Sequence, residues 1–149
     1  MSLKTGIWDG GFPTGAILAF GIVGTARRAL ELSVSMAARR VNAQTVLAQV
    51  LLARNRAADA LPIVLEAVRG LESGVHLEEG EALLYLAHAE TLDANGRRDD
   101  ARRVIRAARD RLLERAAMIA RPEWRESFLT KVPENARTLA LAREWLGEG

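Results

Sequence analysis

Residues 77–120 read LEEGEALLYLAHAETLDANGRRDDARRVIRAARDRLLERAAMIA, and this stretch decides the fold. Tyr85, His88, Ala89 and Leu92 recur at three- and four-residue steps, which brings them to one side of an α-helix. Asn95-Gly96 then stops the helix, because both residues tolerate the left-handed backbone that ends helices. Asp99 and Asp100 open a second helix, with their carboxylates at the positive end of its dipole. Its apolar stripe is Ala101, Val104, Ile105, Ala108, Leu112, Ala116 and Ile119. Two helices joined by so short a turn form an antiparallel hairpin.

The same hairpin is written 41 residues earlier. Gln44, Leu47, Ala48, Leu51, Asn55, Ala60, Val64 and Ala67 correspond one for one to Tyr85, His88, Ala89, Leu92, Gly96, Ala101, Ile105 and Ala108. The small residues Ala48, Ala60, Ala89 and Ala101 let paired helices approach closely. This order of large, small and turn residues resembles the tetratricopeptide (TPR) pattern. It departs from that pattern in three respects. The usual Trp is Gln44 or Tyr85, the usual glycine of the first helix is alanine, and the spacing of 41 exceeds the usual period of about 34. The resemblance implies an all-α chain of antiparallel helix-hairpin repeats, stacked as a short TPR-like α-solenoid.

The remaining sequence is parsed around these two units. Residues 1–13 carry glycines and a proline without periodicity and read as an irregular lead-in, with Met1-Ser2-Leu3 vector-derived; residues 148–149 read as a tag remnant. Counting back from Ala60 by the usual TPR period reaches Ala26, with Leu30 and Gly21 at matching places. Residues 14–40 are therefore expected to form a degraded first hairpin. One short helix would end near Gly21 and Gly24, and a second would be capped by Thr25. The next hairpin occupies 41–76. Its first helix carries Val41, Val46, Leu47, Val50 and Leu51, and its second is opened by Asp59 and Pro62. The 77–120 hairpin begins its first helix near Leu77. Residues 121–147 supply C-terminal capping helices that start at Pro122 and Pro133.

A longer resemblance rests on Leu77-Glu78-Glu79-Gly80-Glu81-Ala82-Leu83-Leu84 and on Arg125-Glu126-Ser127-Phe128-Leu129-Thr130-Lys131-Val132-Pro133-Glu134-Asn135-Ala136-Arg137. Together they look like the C-terminal TPR-like region of large bacterial signalling proteins, in which a Ser/Thr kinase or AAA-type ATPase precedes helical repeats. It covers roughly residues 41–147. It implies a cytoplasmic, non-catalytic scaffold that binds a protein or peptide partner, or upstream domains of the same polypeptide. It supplies no catalytic residues.

Composition agrees with a helical chain. Apolar residues make up 49% and aromatics only 5%, so the core must be built from Ala, Leu, Val and Ile. The net charge of +2 is too balanced for a nucleic-acid binder, despite 19 arginines against two lysines. With no cysteine, disulfides and thiolate zinc sites are excluded. No apolar run approaches the ~18 residues of a membrane span.

In a TPR-like stack the first helices line a concave groove. By repeat position, Asn42, Thr45, Gln49, Leu52, Leu83, Leu86, Glu90 and Asp93 are the expected partner-binding residues. The helix around 82–92 is apolar on nearly all sides and so needs cover on all sides. That cover is the chain's last helices, a second subunit or a partner helix. The open N-terminal end of the stack offers a surface for a homodimer. A regulatory domain sensing a ligand or peptide, through Gln49, Glu90 and Asp93, is the alternative; an enzyme of unrecognised type is the third reading. His76 and His88 lack partners at ligand spacing, so no metal or cofactor is expected. Glu78, Glu79 and Glu81 read as a helix first turn. The arginines of 97–115 read as a solvated face with Asp99–Arg103 and Arg106–Asp110 pairs.

Overall fold

The computed structural model describes residues 11–147, with side chains from Gly24 onward. Its helices are α1 (Gly11–Ala53), α2 (Ala57–Glu72), α3 (Glu81–Ala94), α4 (Arg98–Ala117), α5 (Pro122–Thr130) and α6 (Pro133–Leu146). Among the described residues no strand occurs. The chain divides into two compact units, Met1–Met36 and Ala37–Gly149. In the first unit, the described part of α1 leaves Leu30, Leu32, Val34 and Met36 exposed.

The expected hairpin over 14–40 is absent, because α1 is one helix from Gly11 to Ala53. A helical glycine costs about 1 kcal/mol relative to alanine. The helix runs on through Gly21 and Gly24 despite that cost, and Thr25 lies inside it instead of at a helix start. Residues 11–13 of the expected lead-in belong to α1, while 1–10 and 148–149 lie outside the described residues.

The second unit holds the two repeated hairpins. Asn55, at φ 59°, and Gly96, at φ 78°, turn the chain in the left-handed conformation at matching places. The Arg56 amide then donates to the Leu51 carbonyl at 2.8 Å, and the Arg97 amide donates to Leu92 at 2.9 Å. Each arginine also clips the next helix's first turn: Arg56 Nε reaches Asp59 and Arg97 Nε reaches Asp100, both at 2.8 Å. The 41-residue repeat is thus a repeat of turn geometry as well as of apolar pattern. Ala48 and Ala89, Leu51 and Leu92, Ala60 and Ala101, Val64 and Ile105, Ala67 and Ala108 are buried in corresponding pairs.

Two helix starts differ from the sequence reading. α2 begins at Ala57, so Pro62 lies inside it instead of opening it. Proline has no N–H for the Ala58 carbonyl, and both residues face solvent, where water can serve that oxygen. α3 begins at Glu81, behind Gly80 at φ 93°, so Glu78 and Glu79 precede the helix. α5 and α6 start at Pro122 and Pro133 as expected, since proline's fixed φ suits a first turn.

One core gathers Val41, Ala48 and Leu51 of α1, Ala60, Val64, Ala67 and Val68 of α2, Leu77, and Leu84 and Ala87 of α3. A second gathers Leu86 and Ala89 of α3, Ile105 of α4, and Leu141 and Ala142 of α6, flanked by Trp145. α3 contacts α2, α4 and α6 and is therefore covered on all sides, as its all-round apolar sequence requires. The chain's own last helix supplies the cover over Leu86. No described helix is long and apolar enough to cross a membrane.

Candidate functional site

The eight expected groove residues do not share one fate. Thr45 is only 2% exposed, and its hydroxyl donates to the Val41 carbonyl one turn back at 2.9 Å. Leu86 is 4% exposed beneath α6. Neither side chain is offered to a partner, because core packing has taken both. Glu90 accepts from Arg137 of α6 at 3.0 Å, so the same helix occupies that part of the face. Asp93 pairs with Arg98 across the turn at 3.2 Å. Leu52 packs against the first core. Gln49 and Leu83 are half-buried, and Asn42 is exposed. Asn42 Oδ1 lies 2.7 Å from where a β-carbon at Gly80 would stand, so glycine gives that turn both its φ and its room.

A different concavity opens where α3, α4, α5 and α6 meet, with a volume of about 380 Å³. Ala82, Ala108, Leu112, Phe128 and Val132 give it apolar walls. At its polar side the Arg111 guanidinium lies 4.5 Å over the Tyr85 ring, hydrogen bonds the Tyr85 hydroxyl, and reaches Glu81 at 3.1 Å. Arg115, Glu78, Glu79 and Glu134 add charge at the rim. Two buried polar residues are fixed by the backbone there. Asn135 Nδ2 donates to the Phe128 carbonyl at 2.9 Å, and Thr138 Oγ1 donates to the Glu134 carbonyl at 2.8 Å. The volume and mixed lining suit a small amphipathic molecule or one peptide side chain. Sequence reading did not bring these residues together, because they come from four elements whose docking carries no local signature. Phe128 lines the cavity without filling it. Trp145 packs in the second core, and Trp124 is exposed beneath Arg121.

The pairs on α4 also differ from expectation. Asp100, not Asp99, collects Arg97 and Arg103, while Asp110 pairs with Arg109 at 2.8 Å. The Arg97 hydrogen bond holds the Asp100 carboxyl below its usual range, and Arg103 adds to this. His88 lies beside this cluster, with Leu65 and Leu92. Burial lowers its pKa below the ordinary 6.5, and Arg97 lowers it further against the opposing pull of Glu72 and Asp100. A histidine with a depressed folded pKa binds fewer protons folded than unfolded. Its contribution is fully present above the ordinary 6.5 and is lost as pH falls through the lower folded value. Urea unfolding at pH 7.5 and 5.5 is therefore expected to show a loss of stability at the lower pH that His88→Gln reduces. An equal loss in the variant would assign the effect to other groups. No group of three or more acids and histidines able to hold a metal is found among the described residues.

The outer face of α1 is open. Val46, Leu47 and Val50, which carry the helical pattern together with the buried Val41 and Leu51, are 53%, 47% and 43% exposed. Shifted by 41, they become Ala87, His88 and Thr91 of α3; Ala87 and Thr91 are fully buried and His88 is half-buried. The difference is what lies outside them. α2 covers that face of α3, whereas its counterpart on α1 is left exposed. The repeat register carried this signal, because among the described residues no separate helix precedes the first repeated hairpin in the place that α2 takes before α3.

Comparison with protein-family models, curated proteins and solved structures finds no match to this chain.

Proposed function

We propose that this chain is a non-catalytic, TPR-like interaction scaffold that holds a protein partner against its first repeated hairpin. The single observation that carries the reading is the open apolar face of α1, set beside its covered twin on α3. Three neighbouring apolar side chains half-exposed on one helix lose favourable burial, about 25 cal/mol for each Å² left in water. A partner that covers them recovers it. The matching turns and buried pairs of the two hairpins support the TPR-like description, and the resemblance to kinase- and ATPase-linked bacterial proteins favours a regulatory partner.

Site-specific photocrosslinking tests the reading. Benzoylphenylalanine in place of Leu47 is expected to trap one dominant protein in cells of the source organism. The same group in place of Arg102, on the exposed side of α4, should not. Equal trapping at both places, or none at either, would remove the scaffold reading. A ligand-responsive regulatory domain is the second reading, and the cavity of about 380 Å³ favours it.

A further inference from the structure

The exposed stripe on α1 has a definite layout. Arg39, Ala43, the adjacent pair Val46 and Leu47, Val50 and, just past the helix end, Arg54 are all exposed and otherwise follow one another at three- and four-residue steps. The centre is apolar and both ends are cationic. At 1.5 Å per residue the stripe is about 22 Å long, close to the length of a helix such as α2, which has 16 residues. Neither end arginine makes an ion pair among the described residues.

The covered twin gives the orientation of what belongs there. On α3 the stripe corresponds to Gly80, Leu84, Ala87, His88, Thr91 and Asn95. Asn95 Nδ2, at the end of α3, donates to the carbonyl of Ala57 at the start of α2, at 2.8 Å. The covering helix therefore runs antiparallel and places its N-terminus at the twin of Arg54. In the same arrangement on α1, Arg54 meets the first turn of an incoming helix, where Asp and Glu are also favoured by the helix dipole. Arg39 meets its last carbonyls, the negative end. A second copy of this chain fits poorly: two antiparallel α1 stripes centred on Val46 and Leu47 would set Arg39 against Arg54 at both ends.

We propose that the outer face of α1 docks an amphipathic helix of a partner protein, packed antiparallel as α2 packs on α3, with acidic residues in its first turn. This rests on the scaffold reading and names the partner's chemistry. α2 itself has the required form, with Asp59 in its first turn and an apolar stripe behind it.

The probe is a fluorescein-labelled peptide of residues 57–72, held helical by a staple across positions 62 and 66 and titrated into the full chain by anisotropy. Saturable binding is expected, weakened at least tenfold by Leu47→Asp and by Val50→Asp. Arg54→Glu should weaken it similarly, and Asp59→Lys in the peptide should restore binding to that variant while weakening it to the wild type. All the chain positions are exposed, and circular dichroism checks that each variant folds. Binding that ignores Leu47→Asp would place the peptide elsewhere, for instance in exchange with the internal α2, and would overturn the proposal. So would indifference to the charge swap. Light scattering that shows a dimer dissolved by Leu47→Asp would make a second copy the occupant, and would also overturn it. If the peptide fails while Leu47 still crosslinks one protein in cells, the stated chemistry falls and the scaffold reading stands. Failure of both removes both.

Discussion

Leu84→Ala is expected to destabilise the fold by about 3 kcal/mol, within the range for removing a buried leucine. Leu84 is fully buried in the first core, among residues of α1, α2 and α3. Truncation removes apolar atoms from a place already filled on several sides and leaves a cavity that three helices cannot close together. The natural comparison is Leu47→Ala. Leu47 is of the same residue type but stands on the open face of α1. Its removal is expected to cost under about 0.5 kcal/mol, as for other surface changes. Urea unfolding of both variants at pH 7.5 reads the difference directly. Equal costs would mean either that α3 is not seated on α1 and α2 as described, or that the α1 face is covered in solution. Crosslinking at Leu47 tells these two outcomes apart.

Ala101→Leu is the second large effect, also expected at about 3 kcal/mol, near the upper end of ordinary overpacking costs. Ala101 opens the apolar stripe of α4 with no exposed surface, and its twin Ala60 does the same in α2. At both places a methyl group lets the second helix of a hairpin start close to the first. A leucine there must push α4 away from α3 or leave its preferred rotamer. Ala107→Leu, on the exposed side of the same helix, changes helix propensity almost identically and should be nearly neutral. The pair of variants separates close approach from propensity. If Ala101→Leu unfolds in the same urea as Ala107→Leu, the small residues of the repeat are incidental to its packing.

Much of the architecture was readable because its signals are local. Asn55 and Gly96 mark helix ends by their tolerance of a positive φ. Pro122 and Pro133 mark helix starts by their fixed φ and missing N–H. The 41-residue register of the hairpins follows from alanines placed where helices must touch. The misreadings share a different cause. Gly21 and Gly24 weaken a helix locally, but whether it breaks depends on the whole 43-residue segment that propagates through them. Pro62 marks the vicinity of a helix start without saying on which turn it lies.

The candidate site was less legible for the same physical reason. Helical spacing says which residues share a side of α1 or α3; it does not say what stands opposite. Thr45 and Leu86 were assigned to a groove by position, and packing on their neighbours buried them. Val46, Leu47 and Val50 marked α1 as a helix by their spacing, which left open whether anything covers them, and they lie exposed because nothing described does. The sequence by itself determined an all-helical chain, the two matching hairpins and their turns, since these depend on backbone preference and on contacts a few residues apart. Only the tertiary structure decided that α6 closes over Leu86, that four elements enclose the cavity beside Tyr85, and that α1 keeps an open face. Those outcomes depend on contacts between residues tens of positions apart, whose partners no local pattern specifies.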